Sequence, residues 1–242
     1  MVLCVNLEVV EMSPWYIFHD ESKWMPEIVR AAQSAGSSVL SRLRRLNSYD
    51  LAIHDIDGPK YSFLVPGIQE LAVFCYVSGV DVPYLTQQYE NLTSLELHRL
   101  KCHSNSVQQA MAGLLNLAPR LESLSLAGSS EYNLAFLDFG SFTKLKHLAV
   151  NLDGLLNVDW PACEQQKIVD RLPPNIEQLQ LKYDEEEAGY WKTALEDYCG
   201  LLNRLKRRIL NRQYSSLTSL HLAFAPDSCS EEIVYDDYVY DK

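Results

Sequence analysis

The 242-residue sequence predicts an α/β fold in which short parallel strands alternate with helices or irregular return segments. One six-residue pattern, apolar-x-x-apolar-x-apolar, carries this prediction. Its clear copies are residues 92–97, 121–126, 176–181 and 217–222. Strands that follow one another through such return segments lie side by side and parallel, so the repetition favours a single sheet.

Four looser copies of the pattern extend the prediction to about eight strands, with central residues 5, 51, 71, 95, 124, 148, 179 and 220. Most of the intervals lie near the ~20–29 residues of leucine-rich repeats. We therefore expect one leucine-rich repeat solenoid over residues 1–225, a curved parallel sheet with helices and irregular returns on its convex side. Leu148 and Leu179 should be fully buried in its core.

Helices are expected where the intervals are long. Residues 26–46 have apolar side chains at helical spacing up to Leu46, and Pro26 suits a first helical turn. Residues 104–117 form the best short helix. There Ser106 and Gln109 have the spacing of a capping box.

Two further helices are expected later in the chain, at Trp160–Leu172 and Tyr190–Arg212. The second has an apolar stripe and basic residues crowded into its last turns. After Pro226 the chain becomes acidic, and we expect residues 226–242 to form a loosely held tail. The alternative is a final strand over 233–240 that pairs onto the end of the sheet.

Composition limits which classes of partner and which cellular compartment are expected. The net charge of -11 argues against nucleic acid or an anionic membrane as the main partner. The sequence contains no apolar run of about 18 residues and no signal-peptide pattern at its start. The six cysteines lack C-x-x-C spacing. Free thiols of this kind are typical of a reducing compartment, so we expect an intracellular protein, cytoplasmic or nuclear, without a cofactor.

Alternation along each strand predicts the binding surface. If the two leucines of a strand point into the core, the residues beside and between them point to the concave face. Solenoids commonly bind protein partners with this face. The predicted partner-binding residues are Glu70, Glu96, His98, His147, Asn151, Gln178, Gln180, Lys182 and His221. The alternative for any single residue is a solvated side chain on the sheet surface.

A local phrase suggests a family. Residues 172–181 read Leu-Pro-Pro-Asn-Ile-Glu-Gln-Leu-Gln-Leu, and residues 117–124 have similar phrasing. This resembles the irregular leucine-rich repeats of fungal F-box proteins. The resemblance implies a substrate-recognition domain of an SCF-type ubiquitin ligase, with a ligase adaptor as a further partner. The F-box itself is not evident, although Met25-Pro26-Glu27-Ile28 faintly echoes its opening.

No catalytic or metal-binding constellation is predicted. Asp138-Phe139-Gly140 copies a kinase tripeptide, but the glycine-rich loop and His-Arg-Asp motif of kinases are missing. His98 and His103 have poor spacing for a metal. The alternative to a binding protein is an enzyme with a site on the loops that follow the strands, around His98, His103 and Asp153.

Overall fold

The computed structural model describes residues 8–11, 43–48, 67–101, 106–126, 138–151, 166–184 and 194–225. Its strands are β1 Val9–Glu11, β2 Arg45–Ser48, β3 Glu70–Ser78, β4 Ser94–Lys101, β5 Ser123–Leu126, β6 His147–Asn151, β7 Gln178–Asp184 and β8 Ser219–Ala225. Its α-helices are α1 Val82–Gln88, α2 Val107–Leu115 and α3 Ala194–Leu210, and its 3-10 helices are η1 Phe139–Ser141 and η2 Gln166–Arg171.

All eight strands form one parallel sheet in sequence order, so each strand pairs with its neighbours in the chain. This confirms the predicted α/β class and parallel sheet. The register aligns one apolar residue from every strand, and we call these the rung residues. They are Val10, Leu46, Leu71, Leu95, Leu124, Leu148, Leu179 and Leu220.

The first two strands lie elsewhere than predicted. Val10 and Leu46 occupy the rung positions expected for Val5 and Leu51, and those two residues lie outside the described part of the chain. The predicted helix up to Leu46 is wrong at its end, because Arg45–Ser48 is a strand. A spacing of three apolar residues, as from Leu43 to Leu46, fits both a helical face and the start of the six-residue pattern.

A backbone motif repeats at the entrance to the strands. The carbonyl of Thr93 accepts hydrogen bonds from the amides of both Glu122, at 2.7 Å, and Ser123, at 3.1 Å. At the other pairs of neighbouring strands, the equivalent acceptors are the backbone carbonyls of Glu8, Arg44, Gln69, Glu122, Lys146 and Glu177. Each acceptor lies two residues before its rung residue. The motif therefore fixes the register from strand to strand through backbone atoms alone.

The core lies on one face of the sheet. The rung residues Leu148 and Leu179 are 2% and 1% exposed, as predicted from the sequence. Leu85 of α1, Leu114 of α2 and Leu205 of α3 belong to the same buried cluster. All three helices therefore cover the leucine-bearing face, and burial of these side chains is the main stabilising term.

Helix α2 confirms the predicted short helix but not its capping box. Ser106 precedes the helix with φ -102° and ψ -10°, and its side chain makes no capping hydrogen bond. A capping residue normally has extended backbone, which aims the side-chain oxygen at the first helical amides. Gly113 has a different role: a Cβ there would lie 2.5 Å from the backbone nitrogen of Pro83. The missing side chain lets α2 approach the start of α1.

Helix α3 confirms the last predicted helix. It ends at Leu210, two residues before the predicted end, and residues 190–193 of the prediction lie outside the described residues. The segment predicted as a helix over 160–172 is described only from residue 166, where it forms the 3-10 helix η2. Asp170 of η2 connects these two elements. Its carboxylate lies 2.5 Å from Nη2 of Arg204 and 2.6 Å from Nη2 of Arg208. Close by, the hydroxyl of Tyr214 donates a hydrogen bond to the carbonyl of Val169.

Truncation of a rung leucine tests the core. Leu148→Ala or Leu179→Ala should lower the free energy of unfolding by about 2–5 kcal/mol, because each leaves a cavity among buried side chains. Leu210 is 66% exposed. Leu210→Ala should therefore change the free energy of unfolding by less than about 0.5 kcal/mol. Urea denaturation of the three variants measures both values. Equal, small losses for all three would place the rung leucines at the surface.

Alkaline pH tests the packing around α3. Burial raises the pKa of Tyr214 to about 12, with a further rise from Asp170 and an opposing effect from Arg208. The unfolded tyrosine ionises near pH 10. The stability that depends on the neutral, buried Tyr214 is therefore intact below pH 10 and is lost as the pH rises from about 10 to 12.

Tyr214→Phe should remove this part of the pH dependence. It should also lower stability at pH 8 by about 1 kcal/mol, since the hydrogen bond to Val169 is lost. Denaturation of both proteins from pH 8 to 12 measures the effect. Parallel curves for the two proteins would contradict the raised pKa.

Candidate functional site

The face of the sheet opposite the core is formed by the side chains that alternate with the buried leucines. On β5, Leu124 and Leu126 are buried, whereas Ser123 and Ser125 are partly exposed. Strand β6 repeats the alternation around Leu148. We call this second surface the open face.

The register arranges the open face in columns that run across the strands. The column before the rung residues is Arg45, Glu70, Ser94, Ser123, His147, Gln178 and Ser219. The column after them is Asn47, Ala72, Glu96, Ser125, Ala149, Gln180 and His221. A third, shorter column contains Asn151, Lys182 and Ala223.

A depression of about 360 Å³ lies on this face. Its polar lining is Glu96, Ser123, Ser125, His147, Gln178, Gln180, Lys182 and His221. Six of the nine sequence-predicted residues thus come together: Glu96, His147, Gln178, Gln180, Lys182 and His221. Glu70, His98 and Asn151 belong to strands of the same sheet but do not line the depression.

The depth of the depression follows from side-chain size. Ser125 and Ala149 occupy the column after the rung residues on β5 and β6. The same column has Glu96 on β4 and Gln180 on β7. Short side chains between longer ones leave room above the middle of the sheet. Polar groups therefore surround a small-residue floor.

Sequence reasoning missed Arg45 and Asn47, because it placed the second strand five residues too late. Nε of Arg45 lies 3.3 Å from Oδ1 of Asn47, to which it donates a hydrogen bond, and 3.8 Å from Oε2 of Glu70. Both ends of the ion pair are about half exposed, so it contributes little to stability. The signal that could have found them is partial: Leu43 and Leu46 fill the first two apolar positions of the six-residue pattern, and the polar Ser48 stands in the third.

His98 lies at the acidic end of the open face. Its ring stacks on Phe74 with centroids 4.1 Å apart and planes inclined by 26°. Nε2 of His98 is 2.8 Å from Oε1 of Glu96, but the atoms are not oriented for a hydrogen bond. The contact is therefore an electrostatic one that requires a protonated ring. The stack holds His98 beside Glu96 rather than above the depression.

The opposite end carries a serine–histidine pair. Oγ of Ser219 is 2.6 Å from Nε2 of His221. Such a pair can activate a serine nucleophile when a third group orients the histidine. In the part of the chain that the structure describes, no carboxylate is recorded against His221. The pair orients an exposed imidazole beside Gln180 of the neighbouring strand.

The charged groups divide along the sheet. Glu70 and Glu96 lie on β3 and β4, and the cationic Lys182 lies on β7. Arg45 of β2 lies beyond Glu70 in the same column and pairs with it. The two carboxylates therefore lie between the cations of β2 and β7.

Two other classes of site receive no support from the described ranges. There, no group of three or more His, Cys, Asp or Glu side chains is placed to hold a metal ion. None of the helices in this part of the chain has both the length and the apolar character needed to cross a membrane. Of the residues considered for an enzyme site, His103 and Asp153 lie outside the described residues.

Comparisons with known proteins do not assign a function. No protein-family model matches the chain, and no curated protein matches it. The geometry of the open face is therefore the basis for proposing a function.

Thiol reactivity tests which residues face outwards. Ser125→Cys should react with a maleimide in the native state, because position 125 is partly exposed on the open face. Leu124→Cys should react at least about tenfold more slowly, since only local opening would expose it. Peptide mapping by mass spectrometry separates these sites from the six native cysteines. Equal rates at 124 and 125 would mean that the sheet faces are assigned incorrectly.

Proposed function

We propose that the chain is a leucine-rich repeat domain that binds a protein partner on its open face. The observation that carries the proposal is the depression in which Glu96, His147 and Gln180 meet across the strands. These side chains come from separate repeats, and the shared register brings them together. A non-catalytic role is part of the proposal.

The repeat assignment is supported by three features. The strands are parallel and follow sequence order, the six-residue pattern aligns at the rung residues, and one carbonyl joins each strand to the next. A stack of units in which each contacts only its neighbours is the arrangement of solenoid repeats. On this proposal the sheet is curved and the open face is its concave side.

A protein partner suits the dimensions of the face. From β4 to β8 the sheet spans four inter-strand gaps, which corresponds to about 19 Å at ~4.8 Å per gap. An extended peptide covers that distance with about six residues. The polar groups along the way are amides, a carboxylate, imidazoles and an ammonium group. They offer hydrogen bonds to a peptide backbone and opposite charges to its two ends.

The F-box resemblance supports a more specific proposal, a substrate receptor of an SCF-type ubiquitin ligase. Residues of the phrase at 172–181 stabilise the repeat: Leu172 and Ile176 are buried, and Nδ2 of the Asn175 side chain donates to the carbonyl of Thr143 at 2.7 Å. The earlier phrase likewise buries Leu117 and Leu121. The F-box echo at residues 25–28 lies outside the described residues. On this proposal a ligase adaptor is a second partner.

Removing three polar side chains should weaken partner binding without unfolding the domain. We expect Gln178→Ala, Gln180→Ala and Lys182→Ala together to reduce affinity at least about tenfold, since each lost hydrogen bond is worth about 0.5–1.5 kcal/mol. Affinity capture with quantitative mass spectrometry compares the partners retained by wild type and variant. The same samples show whether ligase adaptor subunits co-purify.

The chain offers a matched control. Gln108, Gln109 and Lys144 are two glutamines and one lysine, all exposed and outside the open-face columns. Their triple alanine variant should retain every partner that wild type retains. If both triple variants capture the same partners in the same amounts, the open face is not the binding surface.

A further inference from the structure

The last rung of the sheet is less covered than the others. At β7 the three pattern residues Ile176, Leu179 and Leu181 are 0%, 1% and 3% exposed. Their counterparts at β8 are only partly buried, although they pack on the same core. These counterparts are Leu217, Leu220 and Leu222. In the described part of the chain, the β8 leucines therefore expose apolar surface, whereas the rung leucines of β2 to β7 are buried.

Helix α3, which precedes β8 in the chain, also ends on exposed apolar surface. Its last residue, Leu210, is 66% exposed, and Ile209 is partly buried against the core. Beyond the helix, Arg212 has a left-handed φ of 57°, and the backbone amide of Gln213 donates to the carbonyl of Arg208. This turn leads the chain from α3 into β8.

Exposed basic residues lie on α3 and on the turn that leads into β8. Arg204 and Arg208 pair with Asp170, whereas Lys206, Arg207 and Arg212 are exposed. β8 is also the last strand in the sheet order of the described residues. The outer edge of such a strand offers backbone amides and carbonyls to another segment. In the described residues, β8 thus combines apolar surface with an available edge, and exposed basic residues precede it in the chain.

Residues 226–242, which follow β8 and lie outside the described residues, combine apolar and acidic side chains. This composition complements the apolar surface of β8 and the basic residues of α3. Its apolar and aromatic residues are Ile233, Val234, Tyr235, Tyr238, Val239 and Tyr240. Its acidic residues are Asp227, Glu231, Glu232, Asp236, Asp237 and Asp241. It begins directly after Ala225, at the end of β8.

The length of the segment is sufficient. The stretch 226–242 can extend to about 55 Å, whereas β8 measures about 23 Å at ~3.3 Å per residue. The segment can therefore turn after Ala225, return along β8 and reach the basic end of α3. A covalently attached occupant also has a high effective concentration at this surface, which a separate partner lacks.

We propose that residues 226–242 cover the open end of the sheet, with apolar side chains over Leu217, Leu220 and Leu222 and carboxylates beside Lys206, Arg207 and Arg212. The segment acts as the terminal cap that a repeat stack requires. The proposal develops the alternative of a final strand over 233–240 and adds apolar cover and ion pairs to it. It differs from the loose tail expected from composition and from a binding site for another protein. It does not depend on the role proposed for the open face.

Hydrogen exchange of the whole chain tests the cap. The comparison protein carries residues 226–242 in scrambled order, which keeps their number and charge but removes their pattern. Amides of 219–225 should exchange at least about tenfold faster in the scrambled protein. Amides of β4 to β6 should be unchanged and serve as the internal control for folding. Equal exchange of 219–225 in both proteins would overturn the proposal.

Charge reversal with rescue tests the docking site. Lys206→Glu with Arg207→Glu should raise exchange of 219–225, and adding Asp236→Lys with Asp237→Lys should restore protection. Lys144→Glu, an exposed reversal away from this end, should have no effect. Failure of the rescue would contradict pairing between the segment and α3.

The same measurement identifies a different occupant. An intramolecular cap gives protection that is independent of protein concentration. Protection that rises with concentration, together with a dimer in sedimentation, would show that a second copy covers β8 and would overturn the proposal.

Discussion

The structure depends on one backbone interaction, the carbonyl that accepts hydrogen bonds from two successive amides of the next strand. It recurs from Glu8 to Glu177 at a constant distance from the rung residue. Because it uses no side-chain atom, it tolerates any residue at that position and connections of very different length. The register of the sheet is therefore set before each strand begins. Burial of the rung leucines then stabilises an alignment that the backbone already defines.

This constraint explains why a surface can form from distant parts of the sequence. The strand segments of Glu96 and Gln180 are separated by two further strands and several irregular connections, yet the two residues share a column. Connections of different length between the strands leave the columns unchanged. Residues on the open face can vary freely in chemistry, because their neighbours are fixed by register and not by mutual contact. Ser125 and Ala149 show the result, since small side chains in one column create space that larger neighbours border.

The sequence predicted the sheet well where the pattern was complete, as at Leu179 and Leu181. It failed at Leu46 because a spacing of three apolar residues also suits a helix, and only strand pairing distinguishes the two. The capping role of Ser106 depended on backbone angles that spacing does not determine. The link from Asp170 to Arg204 and Arg208 joins residues more than 30 positions apart in the chain, so no local pattern could predict it. On the open face, the alternation along each strand predicted which residues share a surface. The depression could not be predicted, because it depends on which residues of different strands lie side by side.

Stability in such a stack is a sum over neighbouring units, so the last unit is held from one side only. Strand β8 contacts β7, and β7 supplies Gln178, Gln180 and Lys182 to the depression. Opening of β8 would expose the edge of β7 and remove His221 from the same surface. A cover over Leu217, Leu220 and Leu222 therefore affects more than the end of the chain. By holding β8 in place, the proposed cover would also hold His221 and the open-face residues of β7 in position.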